Sequence, residues 1–307
     1  MTFTTHSMQT ILPLLTEHLK KKKYVTFSVI NPDIKEECYS GTPIKIKNVT
    51  YVYRGYKTWI DTAEILKCKM LTPEVSLYPL IKLTFVRLCK EKTFHGQRRS
   101  TEKYGIHSNF YQINKMEETG FFYYYNQALE NVGLRQREYI LNLGINRGDK
   151  FQVIKNKLDI KEYHKKKLIG IDHSKSAIAA AKKRFPEKNV HFYLADINHL
   201  NSLKLGTCDL LISIGTLQSP DIHFKPLLMS LVQSYLQQDA ALILGFPNAR
   251  WLGGEVLYGA KAPNYRMSEM GIVFNDIIFA KKYLQQKKYR VTLTGKYYIF
   301  LTAVKIC

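Results

Sequence analysis

The sequence predicts an α/β protein: a mostly parallel sheet with helices on both faces, finished by an antiparallel hairpin and preceded by a smaller α+β region. Three observations lead there. Between residues 139 and 245, short apolar runs alternate with helix-like stretches, the pattern of parallel strands joined by crossover helices. Near the end of the chain, RVTLT and YYIFLTAV flank Gly295 and Lys296, two β-rich runs around a glycine-containing turn. Residues 1–115 have a different, mixed character, so the expected division is 1–115 and 116–307.

The strands of the larger part are expected at Tyr139–Leu143, Leu168–Asp172, Val190–Leu194, Cys208–Ile214 and Ala241–Gly245. Helices are expected at about 149–164, Ser174–Phe185, Pro226–Gln237 and Asn275–Lys287. Ser174 is a natural N-cap, and Pro186 stops the helix that it opens. With the hairpin this makes seven strands. In the first part, a helix carrying Ile11, Leu12, Leu14, Leu15 and Leu19 ends in Lys20–Lys23. Strand-like runs follow at Tyr24–Ile30, Ile44–Lys47 and Thr50–Arg54, then a helix over Trp59–Met70 and a strand at Ile81–Leu88. HGQRRSTEKYG (95–105) reads as an exposed basic loop containing Arg98 and Arg99. Lys115–Gly133 reads as a helix with the aromatic run FFYYY.

Composition narrows the function classes. The chain has 307 residues, 45% of them hydrophobic and 23% charged, as in ordinary globular proteins. It has no apolar stretch long enough to span a membrane, and its first residues lack the features of a secretory signal. The five cysteines are scattered without C-x-x-C spacing. That pattern argues against a zinc site or disulfide framework and points to a reduced, cytoplasmic protein. None of the nine histidines forms a pair with metal-ligand spacing, so no metal is expected. The net charge of +21 invites a nucleic-acid partner. It is spread evenly, +10 in residues 1–115 and +11 in residues 116–307, so a lysine-rich solvated surface explains it equally well.

Four segments carry chemistry. In YILNLGINRGD (139–149), a strand runs into Gly144 and a helix opens after Gly148; glycines at such a turn let backbone approach a ligand lying over the strand ends. In LIGIDHSKSAIAAAKKRF (168–185), Asp172 ends the next strand, where a carboxylate can accept both hydroxyls of a ribose. The plainer alternative is a charge at a helix N-terminus. In VHFYLADINHL (190–200), Asp196 can accept an adenine amino group while the N–H of Ile197 meets a ring nitrogen; an unliganded turn aspartate is the alternative. In CDLLISIGTLQS (208–219), a buried strand empties into a loop at Gly215.

In order and spacing, residues 139–219 resemble motifs I to IV of the class I S-adenosylmethionine (SAM)-dependent methyltransferases, and with the hairpin the resemblance covers about 120–307. It implies a Rossmann-like seven-stranded methyltransferase sheet with SAM as cofactor. Gly144, Asn146 and Gly148 would line the methionine end, Asp172 would hold ribose, and Asp196 with Ile197 would hold adenine. His173 would neighbour the adenosine and Gly215 would flank the site. Two positions depart from the pattern: Asn146 replaces a glycine, and Asn142 stands where an acidic residue usually orders the SAM ammonium.

The acceptor is less legible. The loop IGTLQS lacks the N-P-P-Y-like tetrad of exocyclic-amine methylases, and Cys208 opens a strand rather than following one, unlike the nucleophile of C5-pyrimidine methylases. The segment 245–271 reads as a long loop without regular structure, the usual form of a binding loop or lid. Asn248, Arg250, Trp251, Tyr258 and Tyr265 are its candidate acceptor contacts, and Tyr125 joins them from the aromatic run. For Trp251, Tyr258 and the run itself, packing between domains is the plain alternative. RNA is slightly favoured as acceptor and a small molecule follows closely, with residues 1–115 as the substrate-recognition region. A non-catalytic binding protein of the same fold is a further alternative; a nicotinamide-dependent oxidoreductase is disfavoured by the missing G-x-G-x-x-G and by the hairpin.

Overall fold

A computed structural model describes residues 1–88, 102, 104–260 and 269–306. The chain divides into two compact units: Met1–Thr93 with Trp251–Leu257, and Phe94–Arg250 with Tyr258–Cys307.

The first unit opens with β1 (Thr2–Phe3), α1 (Met8–Lys21) and β2 (Tyr24–Ile30). The hairpin β3 (Pro43–Ile46) and β4 (Val49–Val52) turns through Lys47 and Asn48, both at positive φ, the backbone a two-residue turn requires. Then come α2 (Tyr56–Ile65), β5 (Cys68–Met70), β6 (Glu74–Val75) and β7 (Leu80–Arg87). The expected helix over Trp59–Met70 therefore ends at Ile65. Lys67 takes a positive φ of 56° there, and Cys68–Met70 pairs with β7 instead. The sheet has the order β1-β2-β7-β5. Alternation along β2 and β7 sends Val25, Phe27, Val29, Ile81, Leu83 and Phe85 to one face, where they pack with Ile11, Leu15, Leu19 and Trp59 from the helices.

The second unit contains α3 (Thr119–Asn131), preceded by a short 3₁₀ turn at Lys115–Glu117, so the single helix expected over Lys115–Gly133 is broken near Glu118. Asn114 caps the 3₁₀ turn by accepting from the Met116 N–H. Next come β8 (Tyr139–Leu143), α4 (Asp149–Lys157), α5 (Ile160–Lys165), β9 (Lys167–Asp172), α6 (Lys175–Arg184) and β10 (Val190–Leu194). The helix expected over 149–164 is two helices, because Asp159 starts the second with a reciprocal capping box to Glu162. Ser174 caps α6 as expected, accepting from the Ala177 N–H at 3.2 Å.

The chain continues through β11 (Cys208–Ile214), α7 (Phe224–Ser234), β12 (Leu236–Pro247), β13 (Ala249–Leu252), β14 (Glu255–Tyr258), α8 (Gly271–Gln286), β15 (Tyr289–Gly295) and β16 (Tyr298–Lys305). The seven strands lie in the order β10-β9-β8-β11-β12-β16-β15. The first five are parallel; β16 runs antiparallel to β12 and to β15, with which it forms the predicted hairpin. Both faces are buried. One packs Tyr125, Phe151 and Phe185 against the sheet, the other Leu228, Leu231, Ile277 and Leu284. Residues 245–260 of the expected loop 245–271 are more ordered than their composition suggests: β12 runs on to Pro247, and β13 and β14 form a hairpin around Gly253 and Gly254, both at positive φ. No helix among the described residues is long and apolar enough to cross a membrane.

Candidate cofactor site

The carboxyl edge of β8, β9, β10 and β11 gathers the four motif segments. Beyond Leu143 the backbone passes through Gly144, Asn146 and Gly148 at φ of 70°, 51° and 87°. The Gly144 and Ile145 N–H groups both donate to the Ile171 carbonyl, at 2.9 and 3.0 Å, which ties the turn to β9. A Cβ on Gly144 would overlap the Thr216 side chain, and one on Gly148 would overlap the Phe185 ring. The immediate need for glycine is thus the close packing of the chain's own Thr216 and Phe185.

Asp172 is the hinge pin of this edge. Its side chain is 7% exposed. One carboxylate oxygen accepts from the Asn146 N–H at 2.8 Å and the other from the Ser174 N–H at 3.0 Å. One residue therefore fixes both the glycine turn and the entry to α6, and each oxygen keeps a lone pair. His173 is half-exposed beside it. Asp196 is exposed and accepts from the Asn198 N–H at 2.9 Å, capping a 3₁₀ segment. Ile197 is buried in the core. Gly215 is exposed at φ 69°, with its N–H on the Gly245 carbonyl and the Tyr298 ring close by.

Three features of the edge escape the sequence. First, Lys150, in the opening turn of α4, donates its ammonium to the Gly144 carbonyl at 2.8 Å. Burial lowers its pKa, while Asp172 and then Asp149 act to raise it. Second, Asn142 is fully buried, and among the described residues neither atom of its amide has a hydrogen-bond partner.

Third, Glu102 and residues 104–112 form a strap fastened to the motif loops. The Asn146 amide donates to the Tyr104 carbonyl at 2.9 Å and accepts from the Arg147 N–H at 2.9 Å. Arg147 donates to the Tyr111 carbonyl at 3.2 Å and lies over the Tyr111 ring. The Tyr104 ring meets His173 edge-on at 6.2 Å. Ile106 donates its N–H to Ser176, and the Glu102 carboxylate accepts from Ser174 and Ser176. Those serine contacts hold Glu102 below the usual carboxylate range, the largest effect being the Ser176 hydroxyl.

The acceptor candidates are dispersed. Tyr125 is fully buried, with its hydroxyl donating to the Lys150 carbonyl at 3.3 Å; burial raises its pKa. Asn248 is buried and donates to the Lys296 carbonyl at 3.3 Å. Arg250 donates to the Tyr258 and Gly259 carbonyls, both at 2.9 Å, closing the base of the β13–β14 hairpin. Trp251 is partly buried within the first unit, and Tyr258 is exposed. Tyr265, Arg98 and Arg99 lie outside the described residues. No group of three or more His, Cys, Asp and Glu side chains among the described residues could hold a metal ion.

The family model described as a methyltransferase domain matches residues 137–292, about half of the chain. The chain belongs to the class I SAM-dependent methyltransferases. No curated protein sequence matches this methyltransferase. Among solved structures it is similar to a SAM-dependent methyltransferase from Aquifex aeolicus, at 16% identity over 68% of this chain and all of that one (100%), TM-score 0.45. Similarity also extends to magnesium protoporphyrin IX methyltransferase from Synechocystis PCC 6803, at 17% identity over 64% and 86% of the two chains, TM-score 0.40. Coclaurine N-methyltransferase, at 19% identity and TM-score 0.34, matches over 40% of this chain, which spans only 35% of that one.

The cofactor of the methyltransferase is SAM. The residues at the sheet edge fit such a group. Asp172 keeps acceptor capacity at the end of β9, and Asn142 presents an amide whose polar atoms lack partners among the described residues. A buried polar group of that kind costs free energy until a ligand or ordered water meets it.

Proposed function

We propose that this methyltransferase binds SAM across the ends of β8, β9 and β10 and transfers its methyl group to a nucleophile on RNA. Gly144, Asn146 and Gly148 carry the methionine end, Asp172 holds the ribose, and Asp196 with Ile197 and His173 surrounds the adenine. Gly215 flanks the sulfonium. The observation that supports this most is the Asp172 carboxylate, held by two backbone N–H groups beside the 144–148 turn with lone pairs to spare. SAM supplies an electrophilic methyl on a sulfonium; the protein's own task is alignment. The turn fixes one end of the cofactor and Asp172 its middle, while Gly215, lacking a side chain, leaves the approach from β11 clear.

The RNA acceptor is supported by the net charge of +21, and residues 1–115 would recognise it in a reduced cytoplasmic setting. Asn248, Arg250, Trp251, Tyr258, Tyr265 and Tyr125 are the residues to test on the acceptor side. Two measurements decide the reading. Calorimetry should give saturable binding of S-adenosylhomocysteine and none of NAD; the reverse would remove the cofactor assignment. Labelled SAM incubated with fractionated cell extract should label the RNA fraction, with association falling steeply as salt rises. Label confined to small molecules, with a flat salt response, would replace RNA by a small-molecule acceptor.

A further inference from the structure

The Lys150 ammonium sits in the turn assigned above to the methionine end. An ammonium carries three donors, and among the described residues its one hydrogen-bond acceptor is the Gly144 carbonyl. The nearby carboxylates are engaged elsewhere. Asp149 pairs with Arg147 at 2.6 Å and Arg184 at 2.5 Å. Both Asp172 oxygens already accept backbone N–H groups. Beyond the Gly144 carbonyl, the β8 strand offers only the neutral amide of Asn142. Among the described residues the turn therefore has a cation with spare donors that no carboxylate pairs with directly, although Asp172 and Asp149 lie near enough to favour its charged form. Partial burial sharpens the need, since a desolvated ammonium is stable only beside an anion.

SAM brings one carboxylate, at the methionine end. We propose that Lys150 recognises that carboxylate: fixed by the Gly144 carbonyl, its ammonium pairs with the cofactor's anionic end and makes the methionine part a source of affinity. This rests on the placement of the methionine end at residues 144–148.

The test compares two ligands that differ in the methionine part. S-adenosylhomocysteine carries the carboxylate; 5′-methylthioadenosine has the same nucleoside and sulfur without it. Calorimetry is run with the full chain and with K150Q, K150M and K150R. The amide introduced by K150Q can still donate to the Gly144 carbonyl, so this variant removes the charge while preserving the local bond. The expected result is a loss of about 10- to 100-fold in S-adenosylhomocysteine affinity for K150Q and K150M, with 5′-methylthioadenosine unchanged and K150R retaining most of the affinity. Tighter binding of S-adenosylhomocysteine by K150Q would show that Lys150 plugs the pocket, and would overturn the proposal. Equal losses for both ligands, or no change with either, would overturn it as well. If the unmodified protein binds neither ligand, the cofactor placement itself fails, a result distinct from any loss of discrimination between the two.

Discussion

Asp172→Asn separates the two jobs assigned to one carboxylate. In the free protein, Asp172 accepts from the Asn146 N–H at 2.8 Å and the Ser174 N–H at 3.0 Å. An Asn side chain has one oxygen, so one N–H keeps its partner and the other faces an NH₂ group. Losing one charge-assisted bond at a 7% exposed side chain should cost about 1.5–3 kcal/mol. The second unit holds about 200 residues, for which each kcal/mol moves the melting temperature by roughly 2–4 °C. A fall of about 3–12 °C is expected without ligand. The second effect appears with ligand. S-adenosylhomocysteine at about 100 times its Kd stabilises the folded state by ~2.7 kcal/mol. If the ribose contact is weakened about 100-fold in D172N, the same ligand concentration contributes only ~0.4 kcal/mol. Thermal unfolding of both proteins, with and without ligand, reads the two terms independently. An unchanged melting temperature without ligand would refute the anchoring argument. A full ligand-induced shift in D172N would refute the ribose assignment.

Other outcomes follow from particular contacts. Asn146→Gly removes the bond to the Tyr104 carbonyl and relieves a non-glycine residue at φ 51°. Global stability should therefore move by less than about 1 kcal/mol, while amide exchange at Ile106 accelerates roughly 3- to 10-fold; unchanged exchange there would show that Asn146 does not secure the strap. Burial pushes the Cys208 thiol up to about 12 and raises that of Cys68. Maleimide at pH 8 should leave both unlabelled in the folded protein, since the thiolate reacts and the thiol does not; rapid labelling of Cys208 would contradict its burial. Asp209 accepts from the Glu138 and Tyr139 N–H groups, yet burial holds its pKa above the usual aspartate value. The folded state then binds more protons than the unfolded state between the ordinary and the raised pKa, so stability falls as pH rises through that window. The melting-temperature difference between the native protein and D209N should accordingly grow as pH is lowered into the window; a difference that shrinks would reverse the sign.

The second unit was legible because its strands are nearly uninterrupted apolar runs. Tyr139–Leu143 and Cys208–Ile214 fall where the sequence places them, as expected for strands buried on both faces, and the edge strand Val190–Leu194 also falls where expected although three of its residues are exposed. Boundaries set by caps and turns were harder. The break at Asp159 depends on side-chain-to-backbone bonds that helical periodicity cannot register. Motif spacing singled out Gly144, Asp172 and Asp196, which lie at one sheet edge, but not Lys150, because one lysine on a short helix of a lysine-rich chain looks like any solvated residue. The strap contacts were out of reach for another reason. They join residues 102–112 to 146–176, and nothing local in either segment announces the other.

Reversal of the seventh strand has a geometric outcome at the other end of the chain. Because β16 runs against its neighbours, its first residue, Tyr298, pairs with Pro247 at the end of β12, and the Tyr298 hydroxyl would stand 3.4 Å from a Cβ on Gly215. The start of β16 thus walls the same rim that the first motif floors. A deletion that looks like trimming of a tail would strip β16, leave β15 without its partner, and remove one side of the rim proposed to hold the cofactor.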